Sequence, residues 1–592
     1  MQTYRSGKTA TPLMLLSAAL TYGLLNDAHA SVSEPVAATP PPCSAPAVVT
    51  TAGRFCGVTQ QVNTGGGSTQ AVRAYMGMRY GFARRFAQPQ PVTASGEAPA
   101  TLLGNVCPQD PANLPANAPV SEDCLFLNVW TPVQASTSPL PVLVFIHGGG
   151  FQEGASSQAV FMGTRLAAIG QAVIVTINYR LGALGFLTGG TGPNQITPNL
   201  GLADQRLAIQ WVHDNASAFG GDPSRITLFG ESAGAMSIGI HLTAPAVQGL
   251  FNSAIMESNP YGLPYKTADQ ANAVRTLFNN SDAVTGGCTS PAAPPGSLAC
   301  LKSLTWQQIV AAQGQITFAS QLPAMQGQFS ALLTWNPQVD GNLVPVQPNE
   351  AVIKKPVIAG TNLNEGALFI TLPLPLQPGG PGKPGGYWFY LTRLFGEDTA
   401  ADIIKLPRYA PNPTDNRPEL ARIVTDYLFT CATRHVMSSA TNRNFAYLFS
   451  HRPSFAVWPG SAIPLPCQPV ADGGQGQVCH SFEMPYVFRN PIAVDAAATP
   501  NGKVPPGTNF TAAERPLINS ITQYWTSFAA NGRPSDSSPT TPAWPQFTKN
   551  GTRQVLNLTP GQTQDNGANC GFWDTVGYDK GANLYDPASD AN

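Results

Sequence analysis

The chain has 592 residues, with 32 Lys and Arg against 33 Asp and Glu, 11% charged and 43% hydrophobic. So near-neutral and sparsely charged a chain lacks the basic surface that nucleic acid demands, and no nucleic-acid partner is expected. Its 57 Gly and 56 Pro lie between long apolar runs without a repeat, which excludes a collagen-like or wholly disordered chain and allows a large core.

At the N-terminus, Arg5 and Lys8 precede an apolar stretch over residues 13–25, and Ala28-His29-Ala30 follows. A basic start, an apolar run and a small-x-small tripeptide predict a signal peptide over residues 1–30, cleaved after Ala30. The apolar run is shorter than the ~20 residues a bilayer crossing needs, and Thr21, Tyr22 and Gly23 interrupt it. A mature chain without a membrane span, secreted or periplasmic, is therefore expected. In such an oxidising compartment the ten cysteines read as disulfides, and no C-x-x-C argues for a metal site. Residues 31–46, rich in Ser, Ala and Pro, read as an extended arm in which Cys43 is within reach of Cys56.

Further along, residues 142–146 and 172–178 are β-branched and aliphatic, as expected of strands buried on both faces. Residues 202–219 have helical spacing, with Leu202, Leu207, Ile209, Trp211 and Val212 for a core face, and residues 225–229 form another short strand. Strands alternating with helices predict an α/β fold with a mostly parallel sheet. Pro/Gly clusters at residues 291–296, 377–386 and 534–545 predict surface loops.

Two local patterns carry chemistry. Gly230-Glu231-Ser232-Ala233-Gly234 follows a predicted strand and precedes a helix-compatible stretch. A G-x-S-x-G pentapeptide at such a turn forces its serine into a strained, exposed position, and the glycines are required because side chains there would clash. Serine is a poor nucleophile without a base, an orienting acid and a site for the oxyanion. His147-Gly148-Gly149-Gly150-Phe151, placed after another buried strand, supplies the last: its glycines let backbone N–H groups converge on one point. The N–H groups of Gly149, Gly150 and Ala233 are the candidate oxyanion hole.

Ser121-Glu122-Asp123-Cys124-Leu125-Phe126-Leu127-Asn128-Val129-Trp130 and Phe229 through Gly234 resemble the two signatures of type-B carboxylesterases, the family of cholinesterases and para-nitrobenzyl esterases. The likeness continues through Asn178-Tyr179-Arg180-Leu181-Gly182, Phe219-Gly220-Gly221-Asp222-Pro223, Val339-Asp340-Gly341 and Cys570-Gly571-Phe572-Trp573. It implies an α/β-hydrolase fold, with large insertions forming an active-site gorge, as a single catalytic domain over residues 31–592. It also implies a catalytic Ser232, Glu365 and His480, in the order nucleophile, acid, histidine, and no cofactor. Glu365 stands in Gly360-Thr361-Asn362-Leu363-Asn364-Glu365-Gly366, and His480 in Cys479-His480-Ser481-Phe482-Glu483. His147, His213, His241, His435 and His451 are rivals that neither order nor motif favours. Ser258 resembles a second buried serine that supports the family's triad, although the glycine that usually follows is Asn259 here.

The resemblance pairs Cys107 with Cys124, Cys288 with Cys300 and Cys431 with Cys570, and by elimination Cys43 with Cys56 and Cys467 with Cys479. The last bridge closes a Pro/Gly-rich insertion between Trp458-Pro459 and His480 where relatives run only a few residues. It reads either as a wall of the pocket or as a surface loop tied down for stability. The segment between Cys107 and Cys124 contains no aromatic residue, so it lacks the cation–π face that holds a quaternary ammonium, and choline esters are disfavoured. A small-molecule or polymeric ester is the expected substrate. The alternatives are a lipase, polyester hydrolase or amidase with the same three residues, or a non-catalytic binding module on the same scaffold.

Overall fold

Strands covered on both faces need apolar side chains in both directions, and the centre of the chain supplies such runs. The computed structural model describes residues 43, 46–65, 68–93, 96–111, 114, 118–133, 138–316, 318–321, 332–370, 386–457, 467, 476–491, 510–537, 543–549, 551–564 and 570–578. The predicted signal peptide, nearly all of the arm, Trp458-Pro459 and most of the predicted loop at 377–386 lie outside these residues. Among the described residues the main sheet has eleven strands. In chain order they are β1 Val58–Gly65, β2 Ser68–Arg79, β3 Phe126–Pro132, β4 Leu140–Ile146, β5 Val173–Ile177, β6 Gly221–Glu231, β7 Ser253–Glu257, β8 Val357–Asn362, β9 Asn444–Phe449, β10 Thr552–Leu556 and β11 Gly561–Gln564.

Across the sheet the order is β1-β2-β3-β5-β4-β6-β7-β8-β9-β10-β11. Pairing is parallel from β5 to β10, and antiparallel at β1, β2, β3 and β11. Register aligns the carboxyl ends of the central strands: Gly230 pairs with Ile146, Glu231 with Glu257, and Glu257 with Gly360. The loops that leave β4, β6 and β8 therefore start side by side, where sites in open α/β sheets form.

Alternation along β4 separates two cores. Val142, Val144 and Ile146 pack with helices α2 (Leu200–Asn215) and α3 (Ala233–Thr243), through Leu202, Ile209 and Ile238. Leu143 and Phe145 pack on the opposite face with α1 (Thr164–Gly170) and α4 (Arg515–Asn531), through Leu166, Ile521 and Trp525. Burying each such side chain contributes roughly 1.5–3 kcal/mol. The predicted helix over residues 202–219 begins earlier, and its α-helical part ends at Asn215, whose side-chain amide donates back to the Trp211 carbonyl at 2.7 Å. A 3-10 turn, Ala216–Phe219, then leads into Gly220 at φ 78°, a left-handed position that stops the helix.

Cys43–Cys56, Cys107–Cys124, Cys288–Cys300, Cys431–Cys570 and Cys467–Cys479 are all disulfide-bonded. Among the described residues no helix is long and apolar enough to cross a membrane.

Candidate active site

Ser232 sits between β6 and α3 at φ 56° and ψ −121°, a backbone position that side chains rarely occupy and whose strain is on the order of 1–3 kcal/mol. Its surroundings hold it there. The Ser232 N–H donates to the Glu257 carbonyl at 2.9 Å. A methyl group on Gly230 would lie 2.6 Å from the Ile146 carbonyl oxygen, and one on Gly234 would overlap that same oxygen. Both flanking glycines are thus required by the close passage of β4 beneath the turn. Ala233 is the first residue of α3, so its N–H has no intrahelical acceptor.

The glycine loop leaving β4 lies against this turn. A methyl on Gly148 would come within 2.6 Å of Glu231 Oε2 and 3.0 Å of Ser232 Cβ. Gly149 and Gly150 have φ 103° and 60°, and a methyl on Gly149 would overlap the Glu153 carbonyl. Among the described residues neither N–H donates to a backbone acceptor. The loop thus presents free N–H groups next to a serine whose backbone is held in place.

The loop after β8 carries Glu365, which is fully buried. Its Oε1 accepts from the Asn362 N–H at 2.6 Å and from Ser258 Oγ at 2.6 Å, and its Oε2 lies 2.6 Å from His480 Nδ1. Ser258, also buried and at φ 55°, sits at the end of β7 and additionally reaches Glu483 Oε1 at 3.2 Å. On the other side of the ring, His480 Nε2 lies 2.9 Å from Glu231 Oε1 as an ion-pair contact, with no aligned hydrogen bond to any side chain. Ser481, at φ 67°, donates to the same Glu231 oxygen. Burial opposes charging the imidazole, but Glu231 and Glu365 together outweigh it and hold the His480 pKa well above the ordinary value. Burial and then the charges of Glu365 and Glu231 push the Glu483 carboxyl up to about 7, against the Asn362 amide that donates to it. Phe369 and Phe429 flank the imidazole at centroid distances of 5.0 and 5.3 Å. Leu333 lies beside Gly150, its Cδ2 3.3 Å from where a methyl there would sit.

The other histidines have quieter surroundings. His147 stacks on Tyr179 and contacts its neighbour's carbonyl, Gly148 O, and burial lowers its pKa to about 4. His241, on α3, pairs with Gln205 of α2, with its pKa lowered to about 3, first by burial and then by Arg206. His451 is tied to Glu514 at 3.0 Å, while His213 and His435 sit beside Asp214 and Asp574 near the surface. Sequence reasoning missed the part played by Glu231, Asn362, Glu483, Phe369 and Phe429. Only Glu231 had a readable signal, as the variable residue of the G-x-S-x-G turn. Among the described residues the one grouping with metal-ligand spacing is Cys43, Cys56 and Glu97. Its two sulfurs are bonded to each other and offer no thiolate.

A family model described as the carboxylesterase family matches residues 44–573. The chain belongs to the carboxylesterase family. Like others of this family it is an ester-hydrolysing serine hydrolase, and its mostly parallel sheet is that of the α/β-hydrolase fold. This carboxylesterase is 30% identical to an acetylcholinesterase of Bungarus fasciatus over 495 residues, 77% of this chain and 72% of that protein. Among solved structures it resembles a PNB esterase at a TM-score of 0.66 and 29% identity, over 88% of this chain and 97% of that one. It also resembles a thermophilic PNB esterase at 0.69 and 28%, over 90% and 99%.

Proposed function

We propose that this carboxylesterase is exported and hydrolyses uncharged carboxylic esters through an acyl-enzyme on Ser232, with His480 as base and Glu365 as the acid that orients it. The observation that carries this reading is the 2.6 Å contact between Glu365 and His480 on the rim where the strained Ser232 turn emerges. In the attack, His480 takes the proton of Ser232 Oγ as that oxygen bonds to the ester carbonyl carbon, and Glu365 stabilises the imidazolium. The N–H groups of Gly149, Gly150 and Ala233 receive the oxyanion; losing one such donor raises the barrier by about 2.7–4 kcal/mol. His480 then protonates the departing alcohol, and water, activated by the same imidazole, releases the acid and regenerates Ser232. His480 Nε2 faces Glu231, and catalytic hydrogen bonds commonly tighten only in the substrate complex.

Phe369, Phe429 and Leu333 give the reaction centre apolar walls, which favours acyl groups without charge. The segment between Cys107 and Cys124 has no aromatic ring, which argues against choline esters. Export rests on the predicted leader and on five disulfides, which persist in oxidising compartments. The test is hydrolysis of para-nitrophenyl esters together with mass-spectrometric trapping of the acyl group. We expect activity in the wild type, a single acylated peptide containing Ser232, and loss of both in Ser232→Ala. Acylation elsewhere, or an active Ser232→Ala variant, refutes the assignment.

A further inference from the structure

The imidazole of His480 is carried by an irregular segment, residues 476–483, that belongs to no strand of the sheet. Its placement against Glu365 must therefore come from ties to other parts of the molecule. Two are hydrogen bonds with the residue next to Glu365. The Asn364 N–H donates to the Val478 carbonyl at 2.9 Å, and the Val478 N–H donates to Asn364 Oδ1 at 3.0 Å. This reciprocal pair links the acid loop to the base loop directly, one residue before Glu365 and two residues before His480.

The third tie is covalent. Cys479, fully buried, precedes His480 and is bonded to Cys467, itself 3% exposed. Both sulfurs lie in the core layer that also holds Val478, Phe482 and Met484, so the bridge anchors the backbone at the residue adjoining the imidazole. Downstream, Ser481 is held in a left-handed conformation and bonded to Glu231. His480 is thus fixed on both sides, by a disulfide before it and a side-chain contact after it. A bridge serving only to close a surface loop would not need a buried cysteine at this position.

We propose that the Cys467–Cys479 disulfide and Asn364 are positioning elements for His480, holding its ring between Glu365 and Glu231, and that opening the bridge slows turnover without removing any reacting group. The proposal rests on the assignment of His480 as the base. Loosening the segment lets the ring drift, and a misplacement of about 1 Å can lower the rate roughly a hundredfold. It also draws the ring away from the two carboxylates that face it, Glu365 on the β8 loop and Glu231 at the end of β6; the aromatic rings packed on it among the described residues, Phe369 and Phe429, are uncharged. The imidazole would then charge less readily.

The experiment compares wild type, Cys467→Ser, Asn364→Ala and, as a control in a different part of the chain, Cys43→Ser, using a para-nitrophenyl ester across a pH series. For Cys467→Ser and Asn364→Ala we expect kcat to fall by about ten- to a hundredfold, KM to change little, and the acid limb of kcat/KM to move to lower pH. Cys43→Ser should keep the wild-type limb. The inference is overturned if the first two variants lose only thermal stability and keep both the wild-type kcat and acid limb. If Cys467→Ser does not fold, partial reduction of folded wild type reads the same relation, with alkylated cysteines counted by mass spectrometry. Activity must then fall in step with opening of Cys467–Cys479, and independence of the two overturns the inference. An inactive wild type, or one in which Ser232 is not acylated, would instead remove the functional reading on which it rests.

Discussion

His480 Nε2 lies 2.9 Å from Glu231 Oε1, and Glu231 is the residue immediately before Ser232. The same ring touches a second carboxylate, Glu365, at 2.6 Å through Nδ1. An imidazole between two glutamates is stabilised as the cation, whereas a general base must be neutral. With His480 as the proposed base, the geometry therefore sets a pH requirement on the reaction.

The His480 pKa is raised, so its proton leaves only at higher pH, and activity should be lost as pH falls through that raised value rather than near the ordinary ~6.5. Glu231→Gln removes one of the two charges and should move the acid limb of kcat/KM to lower pH. The same pair has a stability signature. The charged form's contribution is fully present below the unfolded-state histidine pKa and is lost as pH rises through the folded one. The stability advantage of wild type over Glu231→Gln should accordingly shrink with rising pH. A pH–rate profile superimposable on that of wild type would contradict this account.

Ser258→Ala removes a 2.6 Å donor to Glu365 Oε1 while leaving the Asn362 N–H in place. A hydrogen bond to a charged group contributes about 1.5–3 kcal/mol. With Asn362 compensating in part, we expect kcat to fall about tenfold, equivalent to ~1.4 kcal/mol, with KM nearly unchanged. Steady-state kinetics on one para-nitrophenyl ester checks it.

Gly149→Ala meets two obstacles, a φ of 103° and overlap with the Glu153 carbonyl. The loop must shift, and its N–H groups then leave the proposed oxyanion hole. We expect a loss in kcat of about a hundred- to a thousandfold, much larger than the change in KM. Burst-phase kinetics should show that acylation, not substrate binding, is what fails.

Phe369 is 42% exposed and stands 5.0 Å from the His480 ring. Phe369→Ala should lower thermal stability less than removal of a fully buried ring would, because the side chain is already partly exposed. It should raise KM for esters with longer acyl chains more than for acetates. Equal changes for both would show that the ring does not line the acyl side.

Much of this protein is legible in its sequence because the constraints involved are short in range. β-branched runs mark the central strands, and the left-handed Ser232 turn is announced by glycines that stand where a side chain would collide with Ile146. The order of Ser232, Glu365 and His480 is also a property of the chain itself. The end of the helix at Asn215 was less legible, since the apolar spacing continues past it to Phe219 and only a left-handed Gly220 closes the turn.

What only the tertiary structure decided is who touches His480. Glu365 and His480 are 115 residues apart and Ser481 and Glu231 are 250 apart, and no local pattern relates such positions. Parallel pairing brings the ends of β6, β7 and β8 into line, which sets Glu231, Ser258 and Glu365 on one rim, while the His480 segment, which follows β9 and belongs to no strand, is tied to the Glu365 loop through Asn364 and Val478. Glu231 reads in the sequence as the free position of a turn motif; in the fold its side chain reaches the imidazole, and burial makes that charge count. Local sterics are written in neighbouring residues, while the field at the reaction centre depends on strand register and on the exclusion of water, which exist only once the chain has folded.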